Sequence, residues 1–141
     1  MAEKRALIID DDFANRSLWE LVLNENGYAV DTADSVNEGM KFVGENVSLY
    51  LIDYHLPDGR GTEIVSHVRK TFPASVVVLV SMDDDVEVIR ENIRAGSNVY
   101  MVKPTSPSVM GQVLAEIEAG DLSSTDKQLI SRHGRRSYNQ R

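Results

Sequence analysis

Ser75 to Val80 reads SVVVLV, a continuous run of mostly β-branched residues with no polar alternation. A strand that is apolar on both faces has to be covered on both, which is the condition of a central strand in a parallel sheet packed between helices. The rest of the chain has to supply that cover. Four further apolar runs qualify as strands: Ala6–Ile9, Tyr28–Ala33 with edge-like alternation, Leu49–Ile52 and Asn98–Val102. Between them lie segments of helical character. Ala14 to Asn26 carries Leu18, Leu21 and Val22, with Trp19 and Glu25 marking opposite faces, and stops at Asn26-Gly27. Ser35 with Glu38 forms a capping box for a helix through Val43. Thr62 to Lys70 turns Ile64, Val65 and Val68 to one side before Phe72-Pro73. Val86 to Ala95 follows three acids suited to a helix N-terminus and ends on Gly96, and Ser106-Pro107 opens a last helix to Gly120. Five strands alternating with five helices on short connections predict a doubly wound parallel α/β sheet, flavodoxin-like, in the order 2-1-3-4-5.

The chain has 141 residues, which suits one domain burying about two thirds of its unfolded surface. Without cysteine, neither a disulfide framework nor a thiolate metal site is available. Only four apolar residues separate Arg5 from Asp10, too few for a signal peptide, and no run reaches membrane-spanning length. The expectation is a soluble, cytoplasmic protein with no membrane partner. Charge divides the chain after Gly120. Residues 1–120 hold 10 Lys and Arg against 20 Asp and Glu, a net −10, whereas residues 121–141 hold 5 against 2, a net +3. An acidic body argues against nucleic-acid binding by the folded part. The segment from Asp121 has one apolar pair, Leu129-Ile130, and reads as a flexible basic tail with room for one helical turn, outside a domain of residues 1–120.

Four of the five apolar runs end on a reactive group. Asp10-Asp11-Asp12 follows the first strand, Asp53 the third, Ser81 the fourth and Lys103 the fifth. Taken singly, each has a plainer reading as a turn residue, a helix cap or a lysine lying over the sheet edge. Jointly they place chemistry at four adjacent strand ends and none at the edge, which is where open parallel sheets bind ligands. Acids gathered within about 5 Å repel by about 3 kcal/mol per pair at an effective dielectric of 20, so the cluster needs a cation. All-oxygen ligands favour Mg²⁺. Lys103 adds a second positive charge and Ser81 a hydroxyl donor, the parts of a phosphoryl site.

The segments LIIDDD, LIDYHLPDGRG, VVVLVS and VYMVKP, in that order, resemble the receiver domain of bacterial two-component response regulators over residues 5 to about 119. The resemblance implies that Asp53 is the phosphoacceptor, taking a phosphoryl group from a sensor histidine kinase or a phosphotransfer protein. It implies Mg²⁺ held by Asp11 directly and Asp10 largely through water, with Asp53 and the main-chain carbonyl of His55. Lys103 and Ser81 would then contact phosphoryl oxygens, Tyr100 would turn inward on activation, and Lys103-Pro104 would be cis. The output face implied is helix 4, strand 5 and helix 5, for a downstream protein partner or a phosphorylation-dependent homodimer. Helix 5, however, has no Arg or Lys for a salt-bridged dimer. Two charge-assisted bonds at about 1.5–3 kcal/mol each suffice to approach the roughly 5.5 kcal/mol that inverts a 1:99 population.

His55 stands two residues past Asp53 and Asp83 two past Ser81, positions that the resemblance implies flank the approach of water, so the two are expected to tune acyl-phosphate lifetime. Competing functions remain at this point. An unphosphorylated pseudo-receiver would act as an interaction module, and a Mg²⁺-dependent aspartyl-phosphate phosphatase would need an acid where His55 stands. Otherwise no enzyme activity is expected beyond self-catalysed phosphorylation and dephosphorylation. The tail cations Lys127, Arg132, Arg135, Arg136 and Arg141 offer only weak, salt-sensitive nucleic-acid contact without a folded nucleic-acid-binding domain.

Overall fold

The computed structural model describes residues 4–120, 127–132 and 135–140. In chain order the elements are β1 (Lys4–Ile9), α1 (Phe13–Glu25), β2 (Tyr28–Ala33), α2 (Val36–Phe42), β3 (Leu49–Asp53), α3 (Gly61–Thr71), β4 (Val76–Ser81), α4 (Val86–Ala95), β5 (Val99–Val102), α5 (Pro107–Glu118), β6 (Lys127–Arg132) and β7 (Arg135–Gln140). A two-residue antiparallel ladder, His55–Leu56 against Gly59–Arg60, closes the loop after β3. The main sheet runs β2-β1-β3-β4-β5-β6-β7. Its first six strands are parallel, and β7 returns antiparallel to β6. This is the flavodoxin-like order expected from the sequence, carried two strands further.

Those two strands add to the five expected, and they come from the segment read as a flexible tail, of which residues 127–132 and 135–140 are paired strands while 121–126, 133 and 134 lie outside the described residues. In a strand, neighbouring side chains point to opposite faces. One apolar pair is therefore enough to enter both layers: Leu129 is fully buried in the layer beneath α1 and α5, and Ile130 packs into the layer beneath α3 and α4. Backbone pairing to the open side of β5 supplies the rest. Arg141 lies outside the described residues.

Helix ends follow the sequence signals. Asp12, Ser35, Asp85 and Ser106 cap α1, α2, α4 and α5 by accepting from main-chain N–H groups two or three residues on, and Gly96 ends α4 at φ +120°. Half of the Ser35–Glu38 box forms as expected; the Glu38 carboxylate pairs with Lys41. In α1 the buried stripe is Trp19, Val22 and Leu23, while Leu21 is 56% exposed. Positions i, i+3 and i+4 share a face, and Leu21 lies off the one that Trp19 sets.

The end of the sheet where the parallel strands begin is fastened by one side chain. Arg69, near the end of α3, donates to the carbonyls of Gly96 (2.9 and 2.7 Å), Pro73 (2.7 Å) and Ser75 (2.9 Å) and to Asn98 Oδ1 (2.6 Å). Asn98 Oδ1 also accepts from the Val77 N–H at 2.8 Å. A planar fork with five donors serves here as a staple between α3, β4 and β5. Arg69→Met leaves those acceptors without their donor and should cost about 2–4 kcal/mol. Urea unfolding checks this: the midpoint falls with an unchanged slope.

Candidate functional site

Asp10 and Asp53 sit where the buried end of a strand meets polar loop. Asp10 follows Ile9, and its N–H donates to Ala33 O at 3.0 Å, so pairing with β2 fixes its backbone. Its carboxylate accepts from the Asp12 N–H at 2.9 Å, and its carbonyl accepts from Arg16 Nη1 at 2.8 Å. Asp53 is the last residue of β3, in register with Val80 of β4. Directly behind it Gly61 opens α3, where an added Cβ would overlap the Asp53 carbonyl oxygen. Only glycine lets the helix start this close to the strand.

These elements bring Asp10, Asp11 and Asp53 together, with one carboxylate oxygen from each lying within 4.8 Å of the others. Asp10 and Asp53 are buried and Asp11 is exposed. Lys103, at the end of β5 and followed by the cis Lys103-Pro104 bond, places Nζ 3.3 Å from Asp53 Oδ2 and 3.4 Å from Asp10 Oδ2. One cation thus serves two buried acids, with a third alongside. Burial, reinforced by the Asp10 charge, pushes the Asp53 carboxyl up from 3.8 to about 6 despite Lys103. Three oxygens converging with no sulfur or imidazole nitrogen among them suit a hard divalent cation, Mg²⁺ in particular.

Ser81 ends β4 and is wholly buried. Its hydroxyl donates to Asp83 Oδ2 at 3.3 Å and accepts from the Asp83 N–H at 3.1 Å. The same Asp83 oxygen meets His55 Nε2 at 2.8 Å. His55 and Asp83, predicted as separate flanks of the site, therefore touch and bridge the two loops beside Asp53. Tyr100, also fully buried, donates its hydroxyl to the Asp83 carbonyl at 2.7 Å, and burial pushes its phenol up to about 12. A cleft of about 250 Å³ opens next to Lys103, lined by Asn15, Trp19, Met82, Pro104 and Thr105.

Sequence reasoning missed Arg16 and Gly61. Arg16 stands one turn into the helix that Asp12 caps, a spacing that returns its side chain to the preceding strand end. Gly61 carries no spacing signal, because the need for it arises from a strand carbonyl eight residues earlier.

An acidic pocket at the carboxyl ends of a parallel sheet, with one lysine reaching across, places the chain in the flavodoxin-like α/β class with a charged site at its strand ends. The chain matches the model of the response regulator receiver domain over residues 6–115. It belongs to the response regulator receiver domain family. It is similar to the transcriptional regulatory protein AfsQ1 of Streptomyces coelicolor, 33% identical over 122 residues, 85% of this chain and 54% of that protein. It is also similar to the transcriptional regulatory protein CitT of Halalkalibacterium halodurans, at 28% identity over 78% of this chain and 50% of the other. The chain thus spans about half the length of these curated relatives. Among solved structures, a CheY-like response regulator receiver domain protein from Methanospirillum hungatei superposes with TM-score 0.74 at 32% identity, covering 84% of this chain and 93% of that one. No helix among the described residues is long and apolar enough to cross a membrane.

The raised Asp53 carboxyl has a measurable sign. Its folded value, about 6, lies above the ordinary 3.8, so the proton stabilises the folded state. That stability is full below about pH 4 and is lost as pH rises through about 6. Without divalent cation, Asp53→Asn should therefore exceed wild type in stability at pH 7 by about 2–3 kcal/mol and approach it near pH 4. Urea midpoints of both proteins across this range check it; coincident curves at pH 7 would contradict the assignment.

Proposed function

We propose that the chain is a phosphoryl-accepting switch in which Asp53 takes a phosphoryl group from the phosphohistidine of a sensor histidine kinase or phosphotransfer protein. The observation that carries this is the Asp53 carboxylate itself, buried at a strand end and 3.3 Å from the Lys103 ammonium, beside two further acids. A carboxylate oxygen forms a bond to phosphorus as the phosphorus–nitrogen bond to the donor imidazole breaks. The electron pair stays with the imidazole, which keeps or gains a proton, and the product is an acyl phosphate. Lys103 balances the charge that gathers on the phosphoryl oxygens, and the Ser81 hydroxyl exchanges Asp83 for one of them. Asp10, Asp11, Asp53 and the His55 carbonyl would hold Mg²⁺. Bound there, Mg²⁺ supplies further neutralisation of phosphoryl charge.

The same reading gives the switch. Phosphorylation replaces the single negative charge of the Asp53 carboxylate with a phosphoryl group carrying about −1.5 to −2, and Ser81 and Tyr100 relay the change to the face made by α4, β5 and α5. That face would engage a downstream protein or a second copy, in the cytoplasm. A phosphatase is disfavoured because His55 occupies the position that a second acid would need, and a pseudo-receiver is disfavoured because all three acids and Lys103 are present.

Incubation with Mg²⁺ and a small phosphodonor should add one phosphoryl group to the wild type, seen by intact mass, and none to Asp53→Asn. An unmodified wild type would favour the pseudo-receiver, and sustained turnover of a phosphoester would favour the phosphatase. His55 and Asp83, joined across the mouth of the site, restrict the approach of water to the acyl phosphate. Replacing both with Ala should change the dephosphorylation rate several-fold, read by the decay of the phosphorylated mass; an unchanged decay would remove them from the reaction.

A further inference from the structure

The receiver match ends at residue 115, and the five-strand order is complete at Val102, yet the sheet continues. The sixth strand makes contacts that a mere extension would not require. The Leu129 N–H donates to Asn98 O at 3.0 Å, and the register sets Leu129 beside Val99, Ile130 beside Tyr100 and Ser131 beside Met101. Paired residues of adjacent parallel strands face the same side. Tyr100 is therefore flanked on its own face by Leu79 of β4 and by Ile130 of β6, and all three belong to one apolar layer. If β6 were absent, β5 would be an edge strand and the Tyr100 ring would have one flank open to water.

From Tyr100 the contacts lead into the acidic pocket. Its hydroxyl holds the Asp83 carbonyl at 2.7 Å, the Asp83 N–H donates to the Ser81 hydroxyl at 3.1 Å, and the Asp83 carboxylate accepts from that hydroxyl at 3.3 Å. Ser81 follows Val80, the residue in register with Asp53. Ile130, Tyr100, Asp83 and Ser81 thus form a continuous physical path from the C-terminal strand to the phosphoacceptor.

We propose that the C-terminal strand Lys127–Arg132 is an effector of phosphoryl acceptance within the same chain: docked beside Tyr100, it holds that ring inward and keeps the Ser81–Asp85 loop where Ser81 meets an incoming phosphoryl group. The inference rests on the phosphoacceptor reading of Asp53 and adds its regulation. Burial between Leu79 and Ile130 favours the inward ring, and the inward ring completes the apolar surface on which Ile130 docks. Each stabilises the other. Coupling of this kind is reciprocal, so a group on Asp53 that draws the loop in also tightens β6. Weakening β6 lowers acceptance at Asp53 by the same linkage.

Hydrogen exchange on the full chain tests the first direction, with beryllofluoride and Mg²⁺ as the phosphoryl mimic. Amides of Leu129, Ile130 and Ser131 should exchange about tenfold more slowly once the complex forms, with no such change in Asp53→Asn. The second direction uses Ile130→Ser, which should weaken beryllofluoride binding in the presence of Mg²⁺ about fivefold or more, while Ile130→Val stays near wild type. A role confined to holding the sheet together would leave the beryllofluoride-dependent exchange unmoved. If Asp53 is modified normally but exchange in 129–131 and the beryllofluoride affinity of Ile130→Ser both match their references, the coupling is refuted. If the wild type neither binds the mimic nor gains the phosphoryl group, the phosphoacceptor reading fails, and this inference with it.

Discussion

The structure depends on a repulsion that it has to contain. Three carboxylates with oxygens within 4.8 Å of one another repel by about 3–4 kcal/mol per pair at an effective dielectric of 20. Asp10 is eased by the Asp12 N–H, Arg16 holds its carbonyl, and Lys103 stands between Asp10 and Asp53. Burial, together with the part of that repulsion these leave uncompensated, holds the Asp53 carboxyl at about 6. A buried acid that resists ionising destabilises its own fold and is at the same time ready for a cation or an electrophile. Active sites commonly carry such a cost, and the scaffold has to offset it elsewhere.

Here the offset lies in two apolar layers and in the lower end of the sheet. Ile8, Leu51, Val78 and Met101 fill one layer, and Ile9, Ile52, Leu79 and Tyr100 the other, so every strand leading to the pocket is gripped from both sides. At the opposite end Arg69 and Asn98 tie α3, β4 and β5 through bonds that leave no slack in where these strands start. Strands fixed at their starts and along their length deliver their last residues to set positions. That is why Asp53 and Lys103, fifty residues apart in the chain, meet at 3.3 Å.

Much of this was legible in the sequence because the relevant signals are local. The doubly apolar Val76–Val80 run demands a parallel sheet, and the helix caps at Asp85, Gly96 and Ser106 are read within a few residues. The site was legible for a different reason: reactive groups fell at strand ends, and topology brings strand ends together. What escaped notice depends on partners distant in sequence. Gly61 is required by the Asp53 carbonyl and His55 meets Asp83 across 28 positions, neither of which leaves a periodic trace. The C-terminal strands escaped because their apolar content is one pair. A weakly apolar segment is recognisable as a strand only when the edge that receives it is known.

In the proposed switch the polar loops are where a small chemical event would be passed on. The Ser81 hydroxyl has a single proton to donate, now given to Asp83 at a long 3.3 Å. A phosphoryl oxygen on Asp53, as proposed, would compete for that proton as a stronger acceptor. Asp83 would not be stranded by the loss, because His55 Nε2 already lies 2.8 Å from the same oxygen and the Ser81–Asp83 main-chain contact does not depend on the hydroxyl proton. The exchange therefore trades one donor–acceptor pair for a better one and leaves no buried polar group unpartnered. In the proposed switch, an exchange with so small a penalty on either side would keep two arrangements within a few kcal/mol of each other, the range in which one covalent group decides between them.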